Sequence, residues 1–164
     1  VGRTGRLFGW QHSGVVPDMM TLAKPLAGGF PMGAVVASRA VAEALRPGDH
    51  ATTFGGGPVV ASVATAVVRT VAEPAFLEAV REKGARLTAA LEALEHPAVE
   101  SVRGRGLMQG LVLTTEAKPV VKRAQERGLL LVGAGPRVVR FVPPLTVSES
   151  EIDEAVQLVG EALP

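Results

Sequence analysis

In "MMTLAKPLAGGFPMGAVVAS" a single amine, Lys24, lies between an apolar run and a glycine-rich turn that leads into a second apolar run. An amine attacks a carbonyl only when deprotonated, a state favoured by burial or by a neighbouring cation. The apolar run before Lys24 is expected to supply burial. "AGGF" after it clears away side chains, so that a flat group could approach the backbone. On these residues alone the plainer reading, a solvated lysine at a strand end, stays ahead.

Thr52 and Thr53 in "HATTFGGGP" make a second candidate. Two hydroxyls, free backbone amides and the start of a helix at Pro58 combine into an anion site suited to a phosphate or a carboxylate. An ordinary capping loop before a helix fits equally well. Arg140 in "RVVRFVPPL" is the third. An arginine inside an apolar strand costs free energy unless paired, and its planar fork can grip a carboxylate through two parallel hydrogen bonds. An internal salt bridge is the alternative. Arg103 in "SVRGRG" invites the same two readings, with the structural one ahead. "GRGLMQG" lacks the helix that a dinucleotide fingerprint needs after its glycines, and "GRTG" lacks the Lys-Ser/Thr ending of a phosphate loop.

Periodicity and punctuation give the secondary structure around these residues. "PDMMTLA" and "MGAVVAS" read as strands. Ser38 caps a short helix that closes at Pro47 and Gly48. Residues 59–71 are small and apolar on nearly every face, which predicts a helix buried on all sides. "AEPAFLEAVREKGARLTAALEALE" then turns amphipathic, with Phe76, Val80, Leu87, Leu91 and Leu94 near one stripe. Beyond His96-Pro97, "VESVRGRGLMQGLVLT" gives two strands around a glycine bend. A helix stopped by Gly128 follows, then strands at "LLLV" and "RVVRFVPPL", then a helix opened by a Ser148/Glu151 capping box. Residues 1–95 thus form one part and 96–164 a compact α+β module.

Composition narrows the chemistry. With 47% hydrophobic residues and a formal net charge of +1, the chain carries no large field for nucleic acid or an anionic membrane surface. It has no cysteine, which excludes disulfides and thiolate chemistry. His12, His50 and His96 are too scattered for metal-ligand spacing, so no metal site is expected. No apolar run reaches the roughly 20 residues of a membrane span, no signal peptide is visible, and the cytosol is the default compartment. The opening "VGRTGRLFGW", with no initiator Met, suggests a fragment.

Taken together, the segments resemble the class III (ornithine-type) pyridoxal-phosphate aminotransferases of fold type I. "GRTGRLFGWQHSGVVPDMMTLAKPLAGGFPMGAVV" is similar to the family's active-site lysine segment and "HATTFGGGP" to its phosphate-binding loop. "VRGRGLMQG" and "VVRFVPPL" resemble its C-terminal signatures. The order of these motifs overturns the plainer reading of Lys24. The resemblance implies an α/β fold: the end of a large parallel-sheet domain, bridging helices, and a small C-terminal α+β domain. It implies that Lys24 carries pyridoxal 5'-phosphate as a Schiff base and moves the proton, and that Thr53 binds the cofactor phosphate across a homodimer interface. It also implies that Thr52 lies near substrate and that Arg140 pairs with a substrate carboxylate. Within the family the spacing most resembles members that pass an ω-amino group from acetylornithine, or from a carrier-bound relative, to 2-oxoglutarate.

Gly57 stands where the family usually has Asn. In the family an Asp that holds the pyridine nitrogen lies a few residues before "GRTG", so the resemblance implies that these 164 residues are a C-terminal portion, inactive alone. Another class III activity (an ω-amino acid transaminase or an aminomutase) and a non-catalytic dimerisation or binding fragment are the rival expectations.

Overall fold

The computed structural model describes residues 1–164. Its chain divides into two compact units, one comprising Val1 and Arg6–Phe76, the other Gly2–Gly5 and Leu77–Pro164.

In the first unit, β1 (Met19–Leu22) pairs with β2 (Ala34–Ala37) in a two-stranded antiparallel ladder, with Met19 opposite Ala37 and Leu22 opposite Ala34. A 3-10 turn over Lys24–Ala27 follows β1 directly. The short helix α1 (Arg39–Ala42) starts at Ser38, whose hydroxyl makes no capping bond. Helix α2 (Pro58–Ala72) begins on Pro58, whose missing N–H costs nothing at that position. Leu26 and Ala27 of the turn pack with Ala64 of α2, and Leu22, Met32, Ala34, Val63 and Val68 close around them. Only Ala64 and Val71 of α2 are fully buried, and Val59 is 71% exposed. The all-round burial expected of this helix is therefore not present. The small core covers one side of α2 and the other faces remain open.

Helix α3 (Pro74–Glu92) carries its amphipathic stripe into the second unit through Val80, Gly84, Leu87 and Leu91. This stripe is why the units divide after Phe76, inside α3, rather than near Glu95 where composition changes. The second unit holds a four-stranded sheet in the order β3 (Val99–Arg105), β4 (Met108–Leu113), β6 (Val138–Phe141), β5 (Val132–Gly133), together with α4 (Ala117–Glu126) and α5 (Glu149–Ala162). Leu129–Leu131 stay outside the sheet. The strand predicted at "LLLV" begins only at Val132, because Gly128 adopts φ 86° after α4 and the chain has to turn back. All the strand pairs are antiparallel; the parallel ladder that the resemblance implies is not among these six strands.

Alternation gives the four-stranded sheet two faces. Leu111 pairs with Val139, and Gln109 with Phe141, all four of them buried. The opposite face carries Arg103 and Arg105 of β3, Gly110 of β4, and Val138 and Arg140 of β6. At the head of α5 the Ser148 hydroxyl accepts a hydrogen bond from Glu151 N–H, while the Glu151 carboxylate accepts from Ser148 N–H at 2.7 Å. Those hydrogen bonds hold the Glu151 carboxyl below the ordinary glutamate pKa. Its contribution to the cap is therefore present above the ordinary pKa and lost as the pH falls through the lowered one.

Glycine carries α3 against the β3–β4 turn. A Cβ built on Gly84 would sit 2.5 Å from the backbone of Gly106. Backbone atoms cannot swing aside as a side chain can, so Gly84→Ala meets the upper part of the roughly 1–3 kcal/mol overpacking range. The gain of about 1 kcal/mol from alanine's helix propensity does not offset it. We expect Gly84→Ala to lower the thermal midpoint of the protein, and Gly9→Ala, whose Cβ meets nothing within 4 Å, to leave it in place. Differential scanning calorimetry measures both.

Candidate active site

Lys24 is the first residue of the 3-10 turn that packs on α2, and its backbone takes φ 52°, a left-handed conformation that side chains seldom adopt. Strain of this kind costs on the order of 1–3 kcal/mol and collects at functional positions. The turn's geometry explains it. Ala23 arrives extended, Pro25 fixes the next φ, and Leu26 N–H must reach back to Ala23 C=O at 3.2 Å. Lys24 is exposed, not buried as the apolar run before it suggests. The reason is that β1 has only β2 beside it and presents Met19 and Thr21 outward, so that strand builds no shell around the amine.

Thr52 and Thr53 lie in an exposed loop that leads into α2. The Thr52 hydroxyl accepts a hydrogen bond from Gly55 N–H at 3.1 Å, and Gly57 N–H donates to Phe54 C=O at 3.3 Å. Gly57 stands at the N-cap of α2, and no side chain caps this helix. The first amides of α2 thus lack a side-chain acceptor at a position where the helix dipole favours negative charge. Both Lys24 and the threonine loop are anchored on the same helix: the turn packs against its side and the loop enters its first residue.

Arg140 belongs to the second unit. It is half-buried in β6, and its Nε is buried without a hydrogen-bond partner. It lines an open cleft of about 400 Å³ together with Thr4, Arg103, Arg105, Met108 and Gly110. No ion pair of the chain involves Arg140 or Arg103, so the internal salt bridge weighed for each is not formed.

"GRTG" is no phosphate loop, and its role escapes a reading of the linear sequence. The Arg3 guanidinium donates to the carbonyls of Leu107 and Pro143, Leu107 N–H donates back to Arg3 C=O at 3.0 Å, and Arg81 donates to Gly5 C=O. Burial pushes the Arg3 pKa below its ordinary value. This clamp carries Thr4 to the wall of the Arg140 cleft. The available clue was an arginine directly after Gly2 and two residues before Gly5, which lets backbone and guanidinium approach a turn closely; the turn it meets lies about a hundred residues away.

Comparison with known proteins fits these features. The chain is 52% identical over 163 residues to the acetylornithine aminotransferase of Gloeobacter violaceus, covering 97% of this chain and 40% of that protein. It thus spans about two fifths of the length of the curated relatives it matches. Among solved structures, an N-acetylornithine aminotransferase from Stenotrophomonas maltophilia superposes with a TM-score of 0.87 at 38% identity, over 98% of this chain and 43% of that one. An ornithine delta-aminotransferase from Plasmodium falciparum does so with a TM-score of 0.88 at 29% identity, over 98% and 44%. These neighbours share the aminotransferase fold type I, whose C-terminal part the two units reproduce. The family model for class III aminotransferases matches residues 1–163, and the chain belongs to that family.

Proposed function

We propose that this chain is the C-terminal portion of an ω-aminotransferase subunit that moves the side-chain amino group of acetylornithine to 2-oxoglutarate, a step of arginine biosynthesis. The 52% identity to an acetylornithine aminotransferase across nearly the whole chain carries this reading. The subunit works in the cytoplasm as a homodimer with shared sites.

Class III aminotransferases depend on pyridoxal phosphate, and the donor set here suits it. Lys24 offers a primary amine on a strained, fixed turn. Thr52, Thr53 and the uncapped start of α2 offer hydroxyls and amides for a phosphate dianion. When bound, the cofactor supplies an electron sink for the carbanion made at the substrate carbon. With the cofactor bound, Lys24 would hold it through Nζ, and that amine, when free, would take the proton from the amine-bearing carbon of the substrate and hand one back. Thr53 fixes the phosphate of the facing subunit's site, and Thr52 lies beside the substrate there. Arg140, with an unsatisfied Nε and no acidic partner, binds a substrate carboxylate through its fork.

Turnover of the full-length enzyme with 2-oxoglutarate and three donors tests the reading. Acetylornithine is expected to exceed ornithine and 4-aminobutyrate in kcat/KM by about 10- to 200-fold, the range that side-chain pockets deliver. A preference for 4-aminobutyrate reassigns the chain to ω-amino acid transaminases. Isomerised donor with no keto acid consumed makes it an aminomutase.

A further inference from the structure

The structure assigns Arg3 the role of a positioning residue: it splices β4 to β6 where two prolines end their ladder, and so fixes the strand end that carries Arg140. This rests on the aminotransferase reading above. The register pairs Gln109 with Phe141 and Leu111 with Val139, and it stops at Phe141. Carried two residues further, it sets Leu107 directly opposite Pro143. Leu113 N–H donates to Arg137 C=O at 2.7 Å in the same register, so the odd-numbered positions of β4 form the hydrogen-bonded pairs of this ladder. Leu107 and Pro143 stand where the next such pair belongs. Proline has no N–H to give, and Pro144 repeats the break. The ladder itself therefore offers Leu107 C=O no donor.

Arg3 supplies what the proline withholds. One terminal guanidinium nitrogen donates to Leu107 C=O at 3.2 Å and also to Pro143 C=O, while Arg3 C=O accepts Leu107 N–H at 3.0 Å. Every polar backbone group of the interrupted pair is thus satisfied by one residue, as groups withdrawn from water require. The fit is close: a Cβ on Gly106 would lie 2.7 Å from Arg3 C=O. Arg140 sits one residue before the last ladder pair and three before Pro143. Its guanidinium therefore reaches the cleft from a strand end that Arg3 ties down. The same segment sets Thr4 on the cleft wall. A binding group displaced by about 1 Å can cost on the order of 10²-fold.

The test compares the full-length holoenzyme with Arg3→Met, which keeps an unbranched stem and removes every donor, and with Arg3→Lys, which returns donors on a shorter stem. Steady-state kinetics are measured with acetylornithine and 2-oxoglutarate, both of which carry carboxylates, alongside the visible absorbance of the cofactor. Arg3→Met is expected to raise both KM values about 10- to 100-fold. Lost binding that is uniform along the reaction raises KM alone, so kcat stays within about three-fold and the absorbance stays in place. Arg3→Lys is expected to recover part of the loss. A residue that serves folding alone shows the reverse: part of the enzyme is inactive, so kcat falls by more than KM rises. That pattern overturns the proposal, as do unchanged kinetics. If Arg3→Met does not accumulate as folded protein, Arg3→Lys decides by the same split. Arg140→Ala tests the level beneath. If it changes neither KM, or if wild-type enzyme does not use 2-oxoglutarate, the aminotransferase reading of the cleft fails rather than the role of Arg3.

Discussion

Lys24→Ala in the full-length enzyme is expected to remove the visible absorbance of bound pyridoxal phosphate and to lower kcat by at least about 10²- to 10⁴-fold, the share of a positioned proton-transfer group alone. Loss of the amine proposed to hold the cofactor adds to that figure. Lys122→Ala, on the exposed face of α4, controls for the loss of any lysine and is expected to leave both readouts in place. The backbone provides a sharper control. At φ 52° Lys24 is strained and glycine is not, so Lys24→Gly is expected to keep or raise the thermal midpoint while activity falls as in Lys24→Ala. A residue kept for folding alone shows the opposite pattern. Stability retained at the cost of function marks a strained site held for its chemistry. Full activity in Lys24→Gly refutes the assignment.

How far the sequence foretold this arrangement depends on whether each feature is local. The helices α2, α3, α4 and α5 announce themselves through Pro58, an amphipathic stripe, Gly128 and the Ser148/Glu151 box, all local devices whose physics is complete within a few residues. Strands β1, β2, β3, β4 and β6 are legible for the same reason. Burial is not local. The exposure of Lys24 and of most of α2 reflects how few neighbours β1 and α2 have within their unit, and no run of residues records that. Register is not local either. Arg103 and Arg140 look like two separate anomalies along the chain, and only the pairing through Gly110 makes them one feature. The clamp that Arg3 forms on Leu107 is hidden for the same reason. The division inside α3 shows a helix that composition groups with the residues before it, yet whose buried stripe belongs to the second unit.

Mixed dimers give the second large effect. Thr52, Thr53 and Phe54 are exposed, Phe54 at 88%, and Val59 just inside α2 at 71%. An aromatic and a valine left in water beside two hydroxyls fit a surface that a second copy covers. Thr53→Val is expected to weaken pyridoxal phosphate binding about 10- to 100-fold through loss of one charge-assisted hydrogen bond, so at limiting cofactor the variant homodimer is nearly inactive, like Lys24→Ala. A dimer with one Lys24→Ala subunit and one Thr53→Val subunit has a different composition of sites. If Thr53 acts across the interface, the site built on the intact lysine receives its threonine from the other subunit, and both defects fall together in the second site. Differentially tagged subunits, purified as the heterodimer, are then expected to show about half of the wild-type activity at limiting cofactor, from one intact site of two. If Thr53 serves its own subunit's lysine, no site is whole and the heterodimer does no better than the Thr53→Val parent. That result moves the threonine into its own subunit's site, whereas an unimpaired Thr53→Val homodimer removes it from phosphate binding altogether.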